Sequence, residues 1–314
     1  MDVITFGETM VLFTPVTAGP LRFTSHFQKT IGGAESNVAI ALSRLGHKVG
    51  WASRLGKDEF GTYIRNYIRG EGVDTTGVVF DPSCPTGVFF KEQRPGKEPN
   101  ILYYRRGSAA SRMTPSDIPE AQIKEAKFLH LTGITPALSE NCKETVHHAI
   151  SIAKHNGVKV VFDPNLRLKL WSAEEAREAL VPIAAQCDFI LPGLEEGSIL
   201  TGRTEPEDIA SFFLENGSSI VVVKLGDKGA YFASETEEAH VPGFPVTEIV
   251  DPIGAGDGFA AGFLSGLLRN WPVKEAVTLG NKVGAFALSV AGDAEGYPYW
   301  EQIIKETADA EVLR

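Results

Sequence analysis

An α/β architecture, with a mostly parallel sheet between two helical layers and a small separate β-sheet, is what this chain predicts. Three observations carry that expectation. Short apolar, β-branched runs alternate with amphipathic helical patterns through most of the 314 residues. Strands apolar on both faces imply a sheet covered on both sides. Two segments break the alternation with strand-like residues and Pro/Gly turns but no helix between them. The composition, 43% hydrophobic and 22% charged, suits one large domain with an appendage.

The elements follow in order. "VITFG" opens the first strand, and a helix is predicted over 34–45. "KFLHL" at 127–131 precedes a helix over 139–156, and "VKVVFD" at 158–163 precedes one over 173–186. "DFIL" at 188–191 and "SIVVVKL" at 219–225 continue the strands, and two long helices start near 257 and 273. The acidic "SETEEA" at 234–239 reads as a solvated hairpin tip. The interrupting segments are 11–30 and 78–106, so the core comprises 1–10, 31–77 and 107–314. Those two segments read as antiparallel strands of a small sheet apart from the main one, either a flap over a site or a plain extension.

Several function classes are excluded by composition. A net charge of −10 argues against a general nucleic-acid or anionic-membrane surface, which needs clustered Lys and Arg. A local anion pocket stays compatible with it. No run of eighteen apolar residues occurs, and "MDVITFGETM" lacks the basic and apolar regions of a signal peptide, so a cytoplasmic protein is expected. Cys84, Cys142 and Cys187 have no disulfide or zinc spacing and read as buried thiols. His147, His148 and His155 share a helix without a completing carboxylate and read as surface residues.

The chemistry concentrates in "DPIGAGDGFAAGFLSGLL", 251–268, where an extended segment gives way to an apolar helix starting near Gly256. Gly254, Ala255 and Gly256 carry little bulk, so a ligand can approach their amides. Unpaired N–H groups and the helix dipole favour an anion there. Neither a Walker A loop nor a dinucleotide fingerprint fits, because Asp257 and Phe259 stand where Lys and a small residue are required. Alone, Asp257 is a dipole-stabilising cap. Beside an anion nest, a carboxylate can also take the proton of a hydroxyl that attacks a phosphoryl group.

"TIGGAESNVAIALSRLG", 30–46, repeats the arrangement, with glycines opening a helix and Gly46 ending it. Small Gly32, Gly33 and Ala34, then polar Glu35, Ser36 and Asn37, leave room for a polyhydroxy ligand or simply for close packing. Together the two segments resemble the signatures of the ribokinase-like (PfkB-type) carbohydrate kinases, in the same order and at a similar distance. The alternation, the strand-rich segments and the length fit as well.

That resemblance implies a ribokinase-like three-layer α/β/α core with a β-lid, and transfer of the ATP γ-phosphoryl group to a hydroxymethyl group. Asp257 would be the base, and the amides of Gly254, Ala255 and Gly256 the anion hole. Lys224, Gly226 and Gly229 in "VVKLGDKGA", with Asn281, match the ATP site. Glu196 in "GLEE" matches an element that places Mg²⁺ through water, although Gly193 replaces the family's Asn. Asp251 matches a residue that in many members helps bind a monovalent cation. Pro252 stands where most members have Thr, which leaves cation activation open.

Two arginines bear on the substrate. In "NILYYRRGSAAS" a strand puts Tyr103 and Arg105 on one face, with Arg106 the alternative if the register slips. "FDPNLRLKLW" ends a parallel strand, which puts Asn165 and Arg167 at the crevice. The arginine fork suits a carboxylate, so a sugar acid is expected, a phosphate contact to ATP being the other use. Both stretches resemble the 2-keto-3-deoxygluconate kinases of the family, which phosphorylate the terminal 6-hydroxyl. By that likeness Gly33, Ala34, Asn37, Phe89, Tyr103, Arg105 and Arg167 line the sugar site and Asp293 closes it. Fructose, ribose or another keto-deoxy acid are alternatives, and a sugar-sensing binding protein that has lost catalysis is one from a different class. Exposed strand edges in the lid suggest a homo-oligomer.

Overall fold

The computed structural model describes residues 1–92, 100–246 and 248–305. Its strands are β1 (Val3–Phe6), β2 (Met10–Pro15), β3 (Phe27–Gly32), β4 (Val49–Gly56), β5 (Val78–Asp81), β6 (Val88–Glu92) and β7 (Asn100–Tyr104). They continue with β8 (Phe128–Thr132), β9 (Lys159–Asp163), β10 (Phe189–Ile190), β11 (Ile220–Lys224), β12 (Ala230–Ser234) and β13 (Glu238–Val241). The helices are α1 (Ala34–Arg44), α2 (Glu59–Gly70), α3 (Glu120–Glu125), α4 (Glu140–His155) and α5 (Ala173–Ala184). After them come α6 (Leu194–Thr201), α7 (Pro206–Glu215), α8 (Ala255–Leu268) and α9 (Val273–Ala287).

Nine strands form the main sheet in the order β13-β12-β11-β10-β9-β8-β1-β4-β5. Pairing is parallel from β11 to β5 and antiparallel only at β12 and β13. Alternation along each strand divides the core. Ile4, Phe6, Leu129, Leu131, Val160 and Phe162 pack on the side of α4, α5 and α7. Val3, Trp51, Val161 and Val222 pack on the side of α1, α2, α8 and α9. Burying both faces is what makes the strands read as continuous apolar runs.

The second sheet has the order β3-β2-β6-β7. It differs from the expected antiparallel lid in two ways. β2 and β6 run parallel, because the chain makes an excursion through α1, β4, α2 and β5 between them. β5, assigned to the lid from sequence, instead continues the main sheet beside β4, registered Ser53↔Val78 to Gly56↔Asp81. Residues 93–99 of the expected lid segment lie outside the described residues.

Smaller expectations resolve similarly. Residues 235–237 form the tip of the β12–β13 hairpin. Cys142 and Cys187 are buried thiols, whereas Cys84 is half-buried beside the Arg112 guanidinium. His148 lies near the Glu120 carboxylate, and the described residues contain no cluster of three metal-ligating side chains. No described helix is long and apolar enough to cross a membrane.

Candidate active site

The strand order reverses at β1. The chain leaves it toward β4 and β5 on one side and later fills β8 to β11 on the other. Ligands of open α/β sheets sit beyond the carboxyl ends of strands at such a switch point. A cavity of about 1250 Å³ lies there, lined from both sheets and from the start of α8.

Asp257, in the first turn of α8, is 8% exposed. Its Oδ2 accepts a hydrogen bond from Asn37 Nδ2 at 2.8 Å, and its Oδ1 one from Asn165 Nδ2 at 3.3 Å. Asn165 has a left-handed φ of 37°, and its backbone N–H donates to Asp163 Oδ1 at 3.1 Å, which ties it to the end of β9. Burial pushes the Asp257 carboxyl up to about 7; the Asn37 bond opposes the shift, Asp163 adds to it, and Arg167 and Lys224 oppose it. A base tuned near neutrality is what proton abstraction at physiological pH requires.

Gly254 precedes α8 with φ +82° and caps it without a side chain. Its carbonyl accepts from the Tyr297 hydroxyl at 2.8 Å and from the Gly258 amide at 2.8 Å. The first-turn amides therefore have no side-chain cap competing for them. Lys224, at the end of β11, donates to Asp163 Oδ2 at 2.6 Å. Burial disfavours its charge, but Asp163, Glu196 and Asp257 prevail and raise its pKa.

Opposite stands the second sheet. Phe89 and Tyr103 pair across β6 and β7 and stack, with ring centroids 5.7 Å apart. Arg105 lies just past β7, and its Nε donates to Glu8 Oε2 at 2.7 Å. Glu8 is buried and also accepts from the Ser108 hydroxyl. Arg106 lines the cavity too, but is exposed. Arg167 is exposed at the rim and makes no ion pair among the described residues.

Asp293 is buried, and burial followed by the charge of Asp257 pushes its carboxyl up to about 7. Its Oδ1 and Asn37 Oδ1 are buried without a hydrogen-bond partner, and both residues line the cavity. Such orphaned acceptors suit a ligand rich in hydroxyl donors.

Most residues singled out from the sequence thus converge. Gly33, Ala34, Asn37, Phe89, Tyr103 and Arg105 line the cavity, as do Asn165, Arg167, Glu196, Lys224 and Gly226. Gly254, Gly256, Asp257 and Asp293 line it as well. Ala255, Gly229, Asp251 and Asn281 lie outside the lining. The Asn281 amide donates to the Pro242 carbonyl at 3.0 Å, spending that group on the turn after β13. Of the polar trio after Gly33, only Asn37 reaches the cavity. Glu35 turns to Thr132 and Thr135, and Ser36 donates to the Gly33 carbonyl.

Asp251 is held by the Lys91 ammonium, so the carboxylate offered to a monovalent cation already has a cationic partner. Glu196 accepts from the amides of Leu166 and Gly193, each at 2.8 Å, which fixes it in place. Each of its oxygens keeps a second lone pair. With no three-ligand protein site among the described residues, this donor set fits a magnesium ion carried by phosphates and touched through water.

Sequence reasoning missed Glu8, Lys91 and Asp163. Asp163 alone had a local signal, an acid ending a strand just before Asn165.

Comparison with known proteins agrees with this geometry. Residues 1–300 match the model of the pfkB family of carbohydrate kinases. A 2-dehydro-3-deoxygluconokinase of Bacillus subtilis is 40% identical over 96% of this chain and 94% of its own. A 2-dehydro-3-deoxygluconokinase of Thermoproteus tenax is 35% identical over 95% and 91%. A sugar kinase of Pyrococcus horikoshii, solved in complex with ATP, superposes with a TM-score of 0.84 at 30% identity, over 96% and 97% of the two chains. The chain belongs to the pfkB family of carbohydrate kinases, enzymes that transfer a phosphoryl group to an alcohol.

Proposed function

We propose that this kinase phosphorylates the terminal 6-hydroxyl of 2-keto-3-deoxygluconate (2-dehydro-3-deoxygluconate), with ATP as donor. The observation that carries the reading is Asp257 at a helix start that has no side-chain cap, inside a cavity that also holds Arg105 and Arg167. The names of the two relatives described above support the choice of sugar acid.

Asp257 accepts the proton of the attacking hydroxyl, while Asn37 and Asn165 orient its carboxylate. The amides of Gly254 to Gly256, at the positive end of α8, hold the charge of the transferring group. Arg105 and Arg167 take the substrate carboxylate, and Asn37 and Asp293 accept from sugar hydroxyls. Gly33, Ala34, Phe89 and Tyr103 shape the apolar wall of the same pocket, and the second sheet shields it from water. ATP lies toward Lys224 and Gly226, with Gly229 and Asn281 shaping the strand and turn beside it. When bound, magnesium neutralises phosphate charge, and Glu196 would hold it through water. The same reading includes a cytoplasmic homo-oligomer.

A second reading, a kinase for a neutral sugar such as fructose, draws on one observation. Glu8 already neutralises Arg105, which leaves Arg167 as the less committed cation. A panel of acidic and neutral sugars at fixed Mg-ATP, followed by ADP release, separates the two. Arg105→Ala and Arg167→Ala are expected to lower kcat/KM about tenfold to a hundredfold on the keto acid, roughly 1.4–2.8 kcal/mol, and to leave neutral sugars nearly unchanged. Equal losses on both classes would remove the carboxylate reading.

A further inference from the structure

Asp251 begins the turn that leads into α8, and its charge is already answered. Lys91, on β6 of the second sheet, sets its ammonium on Asp251 Oδ2 from 160 residues away. Both side chains are buried, at 6% and 5% exposure. The remaining contacts of this carboxylate come from backbone N–H groups: Ile253 on Oδ1 at 3.2 Å and Gly292 on Oδ2 at 3.3 Å. A monovalent cation needs a cage of oxygens, whereas this carboxylate is surrounded by donors. A second cation beside a buried ammonium would also meet like-charge repulsion.

We propose that the Lys91 ammonium stands in for an activating monovalent cation, so that this kinase works without one. Lys91 acts as a positioning residue. By holding Asp251 it fixes the 251–254 turn, whose last residue caps α8 next to Asp257. Because it projects from β6, it also joins the second sheet to that turn, so the cover and the anion hole form one unit. Removing it leaves a buried carboxylate with no cation, an unfavourable state that an added cation can relieve. This inference rests on the placement of phosphoryl transfer at 254–257.

The test compares the full-length wild type, Lys91→Met and Lys91→Arg in choline chloride and in potassium or ammonium chloride at equal ionic strength. Turnover and melting temperature are both read, the former with the best substrate of the sugar panel. The wild type and Lys91→Arg are expected to be indifferent to the cation. Lys91→Met is expected to lose about 10²-fold in kcat in choline and to melt lower, and potassium or ammonium should restore both by tenfold or more in rate. Three results overturn the proposal: wild type activated severalfold by potassium, Lys91→Met equal to wild type in choline, or a folded Lys91→Met that no monovalent cation restores. If the wild type phosphorylates no sugar, the reading of the turn fails on its own, while the melting temperatures still decide whether Lys91 replaces a cation.

Discussion

Asp257 and Asp293 are both carboxyls that burial holds near neutrality, each pushed up to about 7 from an ordinary 3.8. The sign of their effect on stability follows from proton binding. Between about 4 and about 7 the unfolded chain has released these protons and the folded chain retains them, so folding loses stability as pH rises through that window. The proposed base role needs the opposite state, because only an ionised carboxylate can accept a proton. Asp257→Asn is therefore expected to lower kcat by roughly 10² to 10⁴, about 3–5 kcal/mol, yet to raise the melting temperature above pH 7. Near-normal turnover of that variant would remove Asp257 from the base role. The wild type should show kcat/KM rising with pH through about 7, with that limb lost in the Asn variant. From the sequence, Asp257 was legible as a carboxylate at a helix start; its raised pKa was not, since the burial that drives it and the Asp163 charge that adds to it arise only in three dimensions.

The helix α8 shows what an element adds. Its apolar stripe at Phe259, Phe263 and Leu267 was readable, but the structure buries every residue from Asp257 to Gly266. The reason is a second face made of Gly258, Gly262 and Gly266, which lie against Val283, Leu279 and Ala276 of α9. A Cβ on Gly262 would stand 2.6 Å from the Leu279 carbonyl oxygen, so the two helices approach closely along this stripe. At the start of α8, Gly254 combines φ +82° with a neighbour, the Asp293 carbonyl oxygen, 2.3 Å from where a Cβ would stand. Gly254→Ala is accordingly expected to cost about 1–2 kcal/mol in backbone conformation alone and to lower kcat at least tenfold by displacing the first-turn amides. Thermal melts and steady-state rates check both. A variant with unchanged kcat would show that the turn does not hold the transferring group.

At the scale of the whole molecule, the reversal of strand order at β1 assembles the site from segments distant in the chain, and the second sheet supplies its other wall. β7 is the edge of that sheet, and Tyr104 on it is 64% exposed. The proposed homo-oligomer would pair such edges about a two-fold axis. Light scattering should then give a multiple of the 33.9 kDa chain mass, with Tyr104→Lys reduced to a monomer; a wild-type monomer would end that part of the proposal. By itself the sequence determined the layered α/β core, the two glycine-opened helices, the strand that ends at Lys224 and the strand whose end leads into Asn165 and Arg167. Those features follow from backbone period and residue size within short windows. Only the tertiary structure decided which charges meet: Glu8 with Arg105 across 97 residues, and Lys91 with Asp251 across 160. Such pairs depend on strand order and on where one sheet crosses the other, which no local stretch of sequence encodes.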